Sequence, residues 1–187
     1  MKTLVHLVVI SGLATGVAGC SAPQPVVELS PRQRAERQAD LGLARLRKGD
    51  LAGARKAYNS ASALDPFFVR AHLGLARCHY ARGDLELEAA EYRKALALSP
   101  KLVLVWANLG HALSALDRLE EARAAYLEVV GLGRSDLVEL PLAIVERDLG
   151  VPPSDKGVER LVRLGPFAEP SERPEALPEL LEPTEVR

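Results

Sequence analysis

Tyr58, Tyr92 and Tyr126 stand at a constant spacing of 34 residues. Pro66 and Pro100 repeat the interval. The stretches around them align: GDLAGARKAYNSASALDP (49–66), GDLELEAAEYRKALALSP (83–100) and, more loosely, DRLEEARAAYLEVV (117–130). A unit of this length cannot bury an apolar side by itself. It must stack on copies of itself, and about three copies are the minimum for a stable array. That constraint governs every other reading of the chain.

Each block has an upstream partner: LGLARLRK (41–48), LARCHYAR (75–82) and WANLGHALSAL (106–116). Leu41, Leu75 and Leu109 form one column, and Gly42, Ala76 and Gly110 form the next. Small residues in such a column let two helices approach closely. Aromatic residues are only 4% of a chain rich in alanine and leucine, which favours helix over strand. Ser30-Pro31-Arg32-Gln33 has the form of a capping box with proline at the first helical position, so the first helix begins near Pro31 and runs to about Lys48. Asp65-Pro66 and Ser99-Pro100 are read by the same logic, with Asp or Ser as cap and Pro opening the next helix. Ser135–Gly150 predicts a seventh helix capping the stack, its start shifted or its axis kinked by Pro141. Ser154–Gly165 predicts a short eighth helix. The fold class is all-α: a short helical solenoid of three repeats (31–134) with C-terminal capping helices (135–165).

The pattern resembles the tetratricopeptide repeat, a helix–turn–helix unit of 34 residues. The resemblance rests on the Leu-Gly or Leu-Ala pairs, Gly49 and Gly83, Ala54 and Ala122, the three tyrosines, Ala61 and Ala95, and the two prolines. Trp106 fills the family's aromatic column in the third repeat, where the second has His72. Glu88 stands in place of alanine, Asp117 in place of glycine and Val129 in place of alanine. In this family the first helices line a concave surface. The resemblance thus implies a partner-binding groove of Leu43, Leu46, Leu73 and Tyr80, with Arg70, Arg77 and His111 beside them. The lysine and asparagine that clamp acidic chaperone termini are missing from these columns. An amphipathic helix or extended apolar segment suits the groove instead. The alternative is that the helix over Leu137–Leu149 fills part of it.

Outside the repeats, Met1-Lys2 and the apolar stretch 4–18 have the form of a signal peptide, too short to span a membrane. Val17-Ala18-Gly19-Cys20 resembles the lipobox of bacterial lipoproteins. That resemblance implies cleavage after Gly19, acylation of Cys20 and a lipid tether over 20–30. With Ser21 following the cysteine, it also implies delivery to the outer membrane, facing the periplasm. Acylation of Cys20 leaves Cys78 unpaired, as a small buried hydrophobe on a helix. Residues 166–187 hold five prolines and six glutamates, a composition that predicts disorder. Leu177, Leu180 and Leu181 are the apolar anchors such a tail offers a partner.

The net charge of −1 gives no reason to expect a nucleic-acid partner. His72 and His79 are seven apart, not the four of a helical metal pair. His72 lies in a packing column. Gly131-Leu132-Gly133 reads as a helix end. No nucleophile-and-base pattern, metal motif or cofactor loop stands out, so the sequence points to an interaction protein and not an enzyme. The expectation is a membrane-anchored adapter of the bacterial envelope. It would assist a type IV pilus, motility or secretion machine, or else self-associate or scaffold peptidoglycan enzymes.

Overall fold

A computed structural model describes residues 28–158. The signal segment, Cys20, most of the tether, the remainder of the eighth helix and the acidic tail lie outside the described residues. Within them the chain is all-α: α1 (Pro31–Arg47), α2 (Leu51–Leu64), α3 (Val69–Tyr80), α4 (Leu85–Leu98), α5 (Val103–Ala115), α6 (Leu119–Gly131) and α7 (Glu139–Asp148). A 3-10 turn, Ser135–Leu137, precedes α7, and a helical turn follows at 155–158. The helices form three hairpins, α1/α2, α3/α4 and α5/α6, each packed on the next, with α7 against α6.

The turn inside each hairpin has one construction. The amide of Gly49 donates to Leu46 O and that of Asp50 to Arg45 O. Gly83 and Asp84 repeat this with Tyr80 and His79, and Asp117 and Arg118 with Ser114 and Leu113. These paired bonds need a left-handed residue just past the helix end. Gly49 and Gly83 supply it at φ 78° and 75°, and Asp117 supplies it at φ 59°.

The turns between hairpins differ from the sequence expectation. Pro66 and Pro100 do not open α3 and α5. Those helices begin three residues later, at Val69 and Val103. The prolines act on the residue before them, forcing Asp65 (φ −144°, ψ 97°) and Ser99 (φ −145°, ψ 86°) into extended geometry and so ending α2 and α4. Asp65 Oδ1 then accepts the Phe67 amide, at 3.0 Å, in the turn. At α1 the reading holds: Ser30 Oγ accepts the Gln33 amide, and Gln33 Oε1 accepts the Ser30 amide. Pro141 does not kink the seventh helix. The helix starts at Glu139, which leaves Pro141 in the first turn, where its missing N–H has no helical partner to lose.

The core alternates alanines with tyrosines. Ala35, Ala39, Ala54, Ala61, Ala71, Ala76, Ala89, Ala95, Ala112 and Ala122 are fully buried. Tyr58, Tyr92 and Tyr126 are buried among them, Tyr58 against Gly42 and Gly74 and Tyr126 against Gly110. A buried tyrosine removes about 150–250 Å² from water, which alanines alone cannot match. Leu75 and Leu109 are buried, whereas Leu41 of the same column is exposed. It belongs to the first repeat, and no described repeat precedes it.

Candidate functional site

The seven predicted groove residues all lie on the first helices of the hairpins: Leu43 and Leu46 on α1, Arg70, Leu73, Arg77 and Tyr80 on α3, His111 on α5. On α3 the spacing of 70, 73, 77 and 80 puts all four on one face. α1 also touches α3 directly, so the first two groups adjoin. The structure assigns different duties within the set. Leu46 is half-buried against the core of the first repeat, and Leu73 against that of the later repeats. Tyr80 stands exposed, and Leu43, Arg77 and His111 are half-buried.

Arg70 ion-pairs with Asp40 of α1 and lies over the Phe68 ring, 5.6 Å from its centroid. Sequence columns alone did not reveal Asp40 as its partner. Arg32 covers the same ring at 4.1 Å and bonds Asp65 at 2.8 Å. Arg77 lies beside two buried tyrosines. Burial pushes the Tyr58 hydroxyl up to about 12, and the Arg77 charge pulls back against that rise. Burial raises Tyr92 further, against the same charge. Arg77 shares its face of α3 with Leu73 and Tyr80, and Leu43 stands on the adjoining α1. Such a surface can receive an apolar segment that carries an acidic group.

α7 does not lie along α1 and α3. It packs on α6 as the next first helix would, with Leu142, Ala143, Ile144 and Val145 following Asn108, Leu109, Gly110 and His111 by one repeat length. The expectation that the Leu137–Leu149 helix fills the groove is therefore not met at the first two repeats.

The opposite side has its own construction. Trp106 Nε1 donates to Pro100 O at 2.8 Å, and His72 places Nε2 3.4 Å from Pro66 O, the equivalent carbonyl one repeat earlier. His72 Nδ1 meets Glu91 Oε2 at 2.8 Å, and Lys94 also bonds Glu91. The Glu91 bond raises His72 despite burial. Burial works to raise Glu91, but the His72 and Lys94 bonds outweigh it and hold the carboxyl low. His72 is thus a packing residue that takes over the tryptophan's bond to the turn. Between α4 and α6, floored by α5, an apolar slot of about 460 Å³ opens over Leu96, Trp106, Leu109 and Leu113. The Arg93–Glu121 ion pair, at 2.8 Å, links its two walls. No group of three or more His, Cys, Asp or Glu side chains gathers as a metal set among the described residues.

Family models described as tetratricopeptide repeat match residues 39–102 and 91–124. The type IV pilus assembly protein PilF of Pseudomonas aeruginosa is 33% identical over 120 residues, covering 62% of this chain and 48% of that protein. The chain thus spans about half the length of that relative. The solved structure of Pseudomonas aeruginosa PilF superposes with a TM-score of 0.56 at 28% identity, over 72% of this chain and 63% of that one. MamA superposes at 0.61 with 24% identity, over 67% and 68% of the two chains. The first repeat domain of Spaghetti (RPAP3), bound to an HSP90 peptide, superposes at 0.59 with 21% identity, over 64% and 95%. These last two likenesses concern the fold. The three helical hairpins, their left-handed turns and their tyrosine-filled seams are tetratricopeptide repeats, and this chain belongs to that family of protein-interaction modules.

Proposed function

We propose that the chain is an adapter of the bacterial envelope, anchored through acylated Cys20 and docking a protein segment on the inner face of its repeats. The binding set is Leu43, Leu46, Arg70, Leu73, Arg77, Tyr80 and His111. The observation that carries the reading is the half-buried Arg77 on one face of α3 with Leu73 and Tyr80, a face that α7 leaves open at the first two repeats. A segment with leucine-like anchors and one carboxylate complements it. The likeness to PilF supports a role in assembling a type IV pilus or a related motility or secretion machine. The lipobox and its preceding apolar stretch support a lipid-anchored position, with 20–30 as tether and the repeats facing the periplasm. The repeats need no catalytic group or cofactor for this work.

A pull-down from detergent-solubilised envelope tests it, comparing wild type with Leu73→Glu/Arg77→Glu. An envelope machine component retained by wild type and lost by the double variant is the expected result. Identical captures would sink the groove as binding site. Cys20→Ala tests the anchor separately: membrane fractionation unchanged from wild type would exclude acylation there.

A further inference from the structure

Residue 88 occupies the position that Ala54 holds in the first repeat and Ala122 in the third. Both alanines are fully buried, and so is Glu88, among the largest fully buried side chains of the described residues. Neither of its carboxyl oxygens makes a well-formed hydrogen bond among the described residues. The ionisable groups on the helices packed against α4 are committed elsewhere or do not influence it. On α3, His72 is held by Glu91, His79 lies by Asp84, and the Arg77 charge acts on Tyr92. On α5 the ionisable side chain is His111, and it does not act on Glu88. The neighbour that does is Tyr92, one turn further along α4. The Tyr92 hydroxyl in turn meets Asn108 Nδ2 of α5 at 3.5 Å. Glu88, Tyr92 and Asn108 therefore form a polar thread across the seam between α4 and α5, inside an otherwise apolar core.

We propose that Glu88 makes the packing of the second repeat on the third proton-dependent: the neutral acid belongs to the core, and formation of the carboxylate loosens α4 from α5. A buried carboxylate without a cation is among the costliest groups a core can hold, so the chain must keep the proton or open the seam. Burial pushes Glu88 up to about 7, with the Tyr92 hydroxyl pulling partly the other way. The folded value lies above that of a free carboxyl, so the folded state binds the proton more tightly. The stabilisation from the neutral acid is complete below about pH 4.5 and is lost as pH rises through about 7.

The test is urea unfolding of the whole chain at pH 5 and pH 8 for wild type, Glu88→Gln and Glu88→Ala. Glutamine keeps the shape without the charge, and alanine restores the residue of the other repeats. Every other ionisable group is common to all three proteins and cancels in the comparison. Between the two pH values the folding equilibrium constant of wild type should fall on the order of 10- to 100-fold more than that of either variant. Amide exchange, referenced to Glu88→Gln at each pH, should show the extra opening of wild type at pH 8 within α4 and α5. Parallel pH profiles, or an opening shared equally by α1 and α2, would overturn the proposal. Should glutamine fail to fold, alanine carries the same comparison.

Discussion

A Cβ at Gly74 would stand 2.2 Å from Cε1 of Tyr58, and one at Gly42 would stand 2.9 Å from Cε2 of the same ring. Gly42 is on the first helix of the same repeat and Gly74 on the first helix of the next. The tyrosine is thus the spacer of a sandwich that includes both sides of a repeat junction. Gly74→Ala should destabilise the chain by about 1–3 kcal/mol, the usual range for overpacking. Gly42→Ala should cost less, because a smaller displacement of the ring relieves its contact. Urea midpoints would check both. The Gly74→Ala cost should shrink in a Tyr58→Leu background, since contacting residues couple in a double-mutant cycle. An unchanged cost there would mean that the strain lies elsewhere.

Gly74 shows where sequence reading stops. The 34-residue spacing exposes equivalent positions, and so reveals the hairpins, their order and the close-approach column of Gly42, Ala76 and Gly110. It does not expose contacts between different columns. Gly74 shares its column with Asp40 and Asn108, and nothing in that trio suggests a shared neighbour. Yet Tyr58 rests on Gly74, and Tyr92, one repeat later, meets Asn108. The junction requires a space at one position and a hydrogen-bond donor at the next. The same limit hid Asp40 as partner of Arg70. The prolines differ for a local reason: their backbone restriction falls on the preceding residue, so Pro66 and Pro100 end α2 and α4 and do not open α3 and α5.

Asp117 performs a glycine's task at φ 59°. A side chain in that region meets a steric cost that glycine avoids, moderated for Asp by local hydrogen bonding. Asp117→Gly should therefore stabilise the third repeat, by up to about 1 kcal/mol. Asp117→Val should do the reverse, because a β-branched residue tolerates this geometry poorly. Thermal melts of the two variants against wild type would decide. A lower melting temperature for the glycine variant would show that the Asp117 carboxylate contributes more than its backbone strain costs.

The His72–Glu91 pair should make stability depend on pH in a direction opposite at its two ends. His72 is raised in the fold, so its contribution is full below its ordinary value near 6.5 and is lost as pH rises through the folded value. Glu91 is lowered, so its contribution is full above the ordinary carboxyl range and is lost as pH falls through the folded value. The pair is worth most between those limits. Glu91→Gln should cost about 1–3 kcal/mol there, since it leaves a buried imidazole with a weaker partner. The gap between wild type and variant should narrow on the alkaline side of the histidine titration. A gap that stays constant from pH 5 to pH 8 would show that His72 does not change charge in the fold.

Glu146 ties α7 to the stack. It is buried on α7, 6% exposed, and Arg123 of α6 donates to its carboxylate at 3.2 Å. An exposed pair of this kind would contribute little, but here the carboxylate is shielded from water, and removing its partner leaves a buried charge. Arg123→Met keeps the apolar stem and removes the donor. Its expected effect is a loss of about 1–3 kcal/mol, concentrated in α7, because Val138, Leu142 and Val145 are the apolar anchors left to hold that helix. Amide exchange should accelerate over 139–148 and stay unchanged in α1 and α2. Arg123→Met/Glu146→Leu should recover most of the protection, because a buried apolar side chain has no charge to satisfy. Were the double variant no better than the single one, shape at the α6–α7 contact, and not the buried charge, would be what holds the capping helix in place.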